Sequence, residues 1–334
     1  MTYDVAIVGG GPAGLTVATL LARAGRTVVV AARPASSAPR PGETLAGAGL
    51  RLLRTLDLPV PAPGGPHRSL TGISSAWDGA PVETDYLGSP DGPAWLIERG
   101  AFDRALRDAA ERAGATFLDG AVENARRLPG GWRLAGEGLS TEAAFVVDAT
   151  GRAARMGRLA DAGLTVMHDQ IALWSVATGD APERLERPMI ERVADGWWFA
   201  VRLDPRRTYA AFHALAREGG AARANWRERL EETRYLAPLL QTAGSFEPPR
   251  GSPAGGARLA PVRGPAWAAC GDAAMALDPL SSQGLFSAIA GGAMLARALG
   301  SDRADALDAY ERRLDEIWRI YADRRAAYHV PATV

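Results

Sequence analysis

The chain has 334 residues with 38 basic and 38 acidic side chains, so its formal charge is zero and gives no support for nucleic-acid or anionic-membrane binding. No lysine occurs anywhere, so every basic residue is arginine, which excludes Schiff-base chemistry, a P-loop lysine and lysine acid–base catalysis. The single Cys270 excludes an internal disulfide framework and fits a reducing cytoplasm, and no run approaches the roughly 18 apolar residues of a membrane span.

The N-terminal stretch reads as strand, glycine turn, helix and strand. Val5 to Val8 is an apolar run of buried parallel-strand type. Pro12 suits a first helical position, Leu15 to Ala24 is apolar enough to pack on a sheet, Gly25 ends the helix, and Thr27 to Ala31 makes the next strand. A Pro/Ser-rich loop is expected from Arg33 to Gly42, then a helix over Thr44 to Leu56. Short strands follow near Leu70 to Trp77 and Val82 to Leu87, with a helix over Phe102 to Ala113.

Further on, Phe145 to Val147 reads as a buried strand. Ile171 to Thr178, Trp197 to Leu203 and Thr208 to Leu215 succeed one another without helices, as in an antiparallel sheet. Helix returns at 220–234, a strand at Trp267 to Cys270, and helices at 282–299 and 304–328. The expected fold is α/β: a GxGxxG-type, Rossmann-like dinucleotide-binding domain with an inserted antiparallel sheet and C-terminal helices. The first domain is expected over 1–75, 95–160 and 255–334, and the substrate-binding sheet over 76–94 and 161–254.

Three strand-to-turn junctions bear the chemistry. Gly9-Gly10-Gly11-Pro12-Ala13-Gly14 follows a strand and opens a helix, where small residues let backbone N–H groups approach a pyrophosphate. Asp148-Ala149-Thr150-Gly151 is the second. The third is Gly271-Asp272, whose carboxylate is placed to accept from a sugar hydroxyl. It continues into Asp278-Pro279-Leu280-Ser281-Ser282-Gln283-Gly284-Leu285 at a helix N-terminus, where N–H groups and dipole meet electron-rich ring oxygens. Each alone fits an ordinary turn; their order in one chain does not. The acidic ribose partner expected about 20 residues after the glycines is absent, with Ala32 and Arg33 at the strand end; Arg33 alone would suggest NADP.

These motifs, with Pro41-Gly42-Glu43 and Trp95 to Arg99, resemble the FAD-dependent monooxygenases of para-hydroxybenzoate hydroxylase type, within the branch of tryptophan halogenases and flavoprotein maturases of quinone-cofactor enzymes. The resemblance covers nearly the whole chain. It implies FAD held by Gly9, Gly11, Pro12, Ala13, Gly14, Arg33, Arg99, Val122, Asp148, Gly151, Gly271, Asp272, Pro279, Ser282, Gln283, Gly284 and Leu285. Arg99 would lie near the ribityl phosphate, Asp272 on the ribityl chain, and the ring system near Pro279 to Gly284. Met275 stands where the hydroxylases often have histidine. Gly196-Trp197-Trp198-Phe199-Ala200-Val201 matches the halogenase Gly-Trp-x-Trp-x-Ile motif only in part, and the lysine that halogenases use on hypohalous acid is missing.

The expected function is therefore hydroxylation of an electron-rich aromatic, an indole or phenol, including a tryptophan within a peptide, by O2 through a flavin C4a-hydroperoxide, with Glu43, Trp198 and Pro279 as the catalytic candidates. Reducing equivalents would come from a partner flavin reductase or loosely bound NAD(P)H. Glu43 reads equally as a cap for the helix it precedes. The alternatives are a dehydrogenase or reductase of geranylgeranyl-reductase-like type and a non-catalytic FAD-binding accessory protein. The four histidines, His67, His168, His213 and His329, show no metal-ligand spacing. The expected location is cytoplasmic.

Overall fold

A computed structural model describes residues 2–33, 41–86, 88–301 and 303–328. The loop predicted from Arg33 to Gly42 and the residues from His329 onward fall mostly or wholly outside that set. The central sheet is built on parallel strands: Thr2–Val8 lies between Val28–Ala32 and Leu139–Asp148, with Thr116–Asp119 and Trp267–Ala269 beyond them. Both faces of such strands are covered, so Val5 to Val8, Val28 to Ala31 and Val146 to Val147 are all buried. Helix Pro12–Arg23 packs on helix Gly284–Leu299, bringing the first and third motifs into one layer.

The second sheet is mainly antiparallel. Gln170–Thr178, Arg207–Leu215, Gly196–Asp204 and Met189–Val193 are neighbours, and Gly72–Ala76 and Val82–Asp85 extend the row. Gly72–Ala76 joins this sheet just before the boundary expected at residue 76. One face packs Leu173, Trp198, Ala200 and Phe212 against Trp226, Leu230 and Leu236. The other presents Trp174, Phe199 and Tyr209, all half-buried, toward the central-sheet domain.

Two helix expectations change. Thr44–Leu45 is a short strand paired with Ala94–Leu96, and the helix starts only at Gly47, because the chain must first leave the turn at Gly42 in extended form. The segment expected as one helix over 220–234 divides into Gly219–Ala224 and Trp226–Glu231, with Leu236–Leu239 following. Asn225 at the break has φ −106° and ψ 26°, outside helical geometry. No helix among the described residues is long and apolar enough to cross a membrane.

Candidate active site

The first turn is shaped by contacts that glycine alone permits. Gly9 has φ +116°, and a Cβ there would lie 2.2 Å from the Ala149 carbonyl oxygen; a Cβ on Gly14 would lie 2.2 Å from the Gly9 carbonyl oxygen. These glycines let the first and second turns touch. Gly11 differs: a Cβ there meets nothing within 4 Å. Helix Pro12–Arg23 has no side-chain cap and no acidic residue in its first turn, so no side chain takes up its leading N–H groups. Gly284, opening the third-motif helix, is likewise free of neighbours. This cradle of backbone donors fits a pyrophosphate-bearing dinucleotide.

The second turn is structural. Asp148 is fully buried: Oδ1 accepts from the Thr150 amide (3.0 Å) and hydroxyl (2.7 Å), and Oδ2 from the Gly157 amide (2.9 Å). With these bonds made, its carboxylate holds the turn at Gly151. Arg152 then clamps the turns together, donating to the Gly255 and Leu277 carbonyls, the latter at 2.9 Å, with Nε 3.8 Å from Asp272. The Asp272 side chain keeps 39 % exposure at the mouth of the cradle. Its surroundings nevertheless push its carboxyl above the ordinary range, by desolvation first and Glu43 second, against the pull of Arg152 and Arg99.

Glu43 does not cap a helix. Its Oε2 accepts from Arg99 Nη1 at 2.5 Å, and the same guanidinium forks onto Asp103 at 3.2 and 3.0 Å. Burial opposes the Arg99 charge, but the two carboxylates more than compensate and raise its pKa. Oε1 of Glu43 has no hydrogen bond among the described residues, and its side chain is 37 % exposed. Gly42 sits against the Tyr209 ring, where a Cβ would come within 2.5 Å. Burial and then Glu43 raise the Tyr209 pKa. The loop predicted to approach the flavin thus meets the half-buried face of the second sheet.

At the other end of that face lies Asp278, 4 % exposed. Oδ1 accepts from the Leu280 amide at 3.0 Å, and Oδ2 accepts from Tyr321 Oη at 3.1 Å and Arg325 Nε at 2.6 Å. Burial works against its charge, but hydrogen bonds from His168 and Arg325, the Arg325 charge and Tyr321 hold its pKa at about 2. Asp278 therefore fixes the Pro279–Ser281 turn that leads to Ser282, Gln283, Gly284 and Leu285. Arg325 and Tyr321 lie more than forty residues away in sequence, and no local pattern could have announced them. Cys270, fully buried, has its thiol pKa raised by desolvation and plays no exposed role.

The other expected residues separate clearly. Pro12, Ala13, Gly271 and Pro279 lie on the converging turns, where a Cβ on Gly271 would come 2.6 Å from that of Ala13. Arg33 is exposed at the end of strand Val28–Ala32, and the Val122 side chain is buried in the core. Trp198 is fully buried between Phe212 and Trp226 on the helix-covered face, with ring centroids 5.0 and 5.1 Å away. Strand alternation turns it away from the cradle, so it is core and not a substrate contact. Among the described residues, no group of three His, Cys, Asp or Glu side chains is arranged to hold a metal ion.

Residues 2–126 match the family described as FAD binding domain, and residues 80–327 match the family described as tryptophan halogenase. LodB of Marinomonas mediterranea, named as an FAD-dependent oxidoreductase, is 27 % identical, the alignment spanning 99 % of this chain and 92 % of LodB. The myxobacterial chondrochloren halogenase CndH superposes with a TM-score of 0.86 at 21 % identity, covering 98 % of this chain and 82 % of CndH. The peptidyl tryptophan dihydroxylase QhpG superposes with a TM-score of 0.78 at 24 % identity, covering 98 % and 75 %. The two superpositions speak to the fold. The glycine cradle and the first family match agree on FAD as the cofactor.

Proposed function

The chain belongs to the tryptophan halogenase family of FAD-dependent oxidoreductases, and we propose that it is a monooxygenase hydroxylating an electron-rich aromatic, an indole or a phenol, with a peptide-borne tryptophan among the candidates. The observation that supports this most directly is the half-buried aromatic face of the second sheet, spanning from Gly42 and Glu43 toward Asp278 and Pro279. Such a face stacks an aromatic ring and excludes water.

When bound, FAD supplies the redox chemistry, accepting electrons from a flavin reductase or NAD(P)H and activating O2. The chain's own part is positioning. The N–H groups at Gly11 to Gly14 would hold the pyrophosphate, Asp272 would accept from a sugar hydroxyl, and the Pro279–Gly284 turn would meet the ring edge. Trp174, Phe199 and Tyr209 would orient the substrate ring. Glu43, paired through Oε2 with Arg99, keeps Oε1 free to take a proton from a phenol or indole.

Halogenation is the competing reading, since CndH and the matched family bear that name. The absence of lysine favours hydroxylation, because the halogenases that the sequence resembles handle hypohalous acid through a lysine. The deciding experiment supplies the FAD-loaded protein with a flavin reductase, NADH, ¹⁸O2, bromide and a panel of indoles, phenols and tryptophan peptides. Product gaining one ¹⁸O is expected. Brominated product would establish a halogenase, and oxidised or reduced product without label would establish a dehydrogenase or reductase.

A further inference from the structure

Ala32 stands at the strand end where a dinucleotide fold places the acid for its adenosine ribose, and a carboxylate stands beside it on the next strand. Ala32 pairs in parallel register with Asp119, the last residue of Thr116–Asp119. The Gly120 amide donates to the Ala32 carbonyl at 2.9 Å, which fastens the two strand ends together. Ala32 projects toward the glycine turn, since a Cβ on Gly10 would lie 3.0 Å from the Ala32 Cβ. Residues paired on parallel strands leave the sheet on one face, so Asp119 shares that side, one strand spacing of about 4.8 Å beyond Ala32. Phe117, two residues earlier and therefore on the same face, carries Arg107 over its ring at 4.3 Å. Arg107 belongs to helix Arg99–Arg112, which packs on helix Pro12–Arg23 of the glycine turn.

Ligands of such sheets bind outside the carboxyl ends of the parallel strands. The five strands of the central sheet named above close on Val8, Ala32, Asp119, Asp148 and Ala269. Two of these are acids. Asp148 is buried and accepts from Thr150 and Gly157. The Asp119 side chain keeps 63 % exposure. Its pairing with Arg107 is loose, with Oδ1 3.6 Å from Nη1, beyond hydrogen-bond distance. Arg107 is also held without it, because Nε donates to Glu111 at 2.9 Å.

We propose that Asp119 accepts from the ribose hydroxyls of the adenosine half of FAD, supplying from the neighbouring strand the carboxylate that Ala32 lacks. An ionised carboxylate accepts through both oxygens and the ribose diol offers two O–H donors, so the match is bidentate and charge-assisted. A 2′-phosphate would instead set its negative charge against Asp119, which favours the free diol of FAD over the NADP that Arg33 alone would suggest. The assignment concerns the adenosine end and is independent of the reaction at the ring end.

The test is fluorescence titration of flavin-free protein with FAD, and calorimetric titration with ADP and with 2′,3′-dideoxy-ADP, for the wild type, Asp119→Ala and Arg107→Met. Asp119→Ala should weaken FAD binding at least about tenfold. The wild type should prefer ADP over its dideoxy analogue about tenfold, and Asp119→Ala should bind the two alike. The side chain is exposed, so the Tm of the ligand-free variant should not move. Arg107→Met should leave FAD affinity within about twofold. Removing an anion that makes no ribose contact would leave FAD binding unchanged or tighten it, and either result overturns the proposal. A preference for ADP that survives Asp119→Ala, or a wild type that does not distinguish the two nucleotides, overturns it as well. A loss with Arg107→Met equal to that with Asp119→Ala overturns it in favour of the ion pair. If Asp119→Ala does not fold, Asp119→Asn, which keeps the side-chain size and removes the charge, decides by the same two titrations.

Discussion

Arg99 Nη1 donates to Glu43 Oε2 across 2.5 Å, joining helix Arg99–Arg112 to the turn that touches the second sheet. The guanidinium is 9 % exposed and shared with Asp103, so one buried cation neutralises two carboxylates. Removing it takes from both acids the cation they share. Arg99→Met should cost about 3 kcal/mol, as breaking buried pairs does, measured by urea unfolding. Arg99→Lys should recover only part, because the fork onto Asp103 is lost.

Glu43→Gln keeps the hydrogen bond to Arg99 and removes the proton acceptor. It should leave flavin content unchanged and lower the oxygenation rate by about 10²-fold. A rate within twofold of wild type would remove Glu43 from the chemistry.

Gly11 and Gly14 should separate binding from folding. Gly11→Ala adds a methyl group in open space, so the ligand-free protein should melt as wild type while FAD affinity drops at least about tenfold, read by flavin fluorescence titration. Gly14→Ala drives a Cβ against the Gly9 carbonyl, so the fold itself should weaken by about 1–3 kcal/mol.

Acid should unfold the protein in two windows. His213, neutral with a pKa of about 3, regains its ordinary value of 6.5 on unfolding, so the unfolded chain binds more protons below that pH. Its contribution, on the order of 5 kcal/mol, drains as pH falls from 6.5 toward 3. Asp278, at about 2 against 3.8, contributes about 2 kcal/mol that is present above pH 3.8 and lost toward pH 2. His213→Phe should flatten the melting temperature between pH 6.5 and 4. Asp278→Asn should lower stability at neutral pH and abolish only the steeper fall below pH 4.

Trp198 should behave as core. Trp198→Ala should cost about 3–5 kcal/mol, while Trp198→Phe should keep flavin binding and oxygenation at a smaller stability cost. Thermal melts and turnover on one preparation distinguish this from a substrate contact, for which rate would fall before stability.

The central-sheet architecture was legible because its signals are local: an apolar run, a glycine turn and Pro12 within a dozen residues define the cradle. Gly271-Asp272 was readable for the same reason. Trp198 misled because alternation along a strand gives two faces without saying which is covered, and only Trp226 and Phe212 decide that. Glu43 reads equally as an acid–base group and as a cap, since a cap is the nearest job for an acid before a helix, whereas its partner Arg99 is 56 residues on. Asp148 was found as part of a turn, but its bond to the Gly157 amide, which turns it inward, has no sequence signature.

The pairing of Asp278 with Arg325 also orders events during synthesis. The glycine cradle at Gly9 to Gly14 is made early relative to Tyr321 and Arg325, and the turn that begins at Asp278 is not fastened until those two side chains have emerged. A nascent chain therefore has somewhere to place a pyrophosphate long before the turn at Asp278 is held in place.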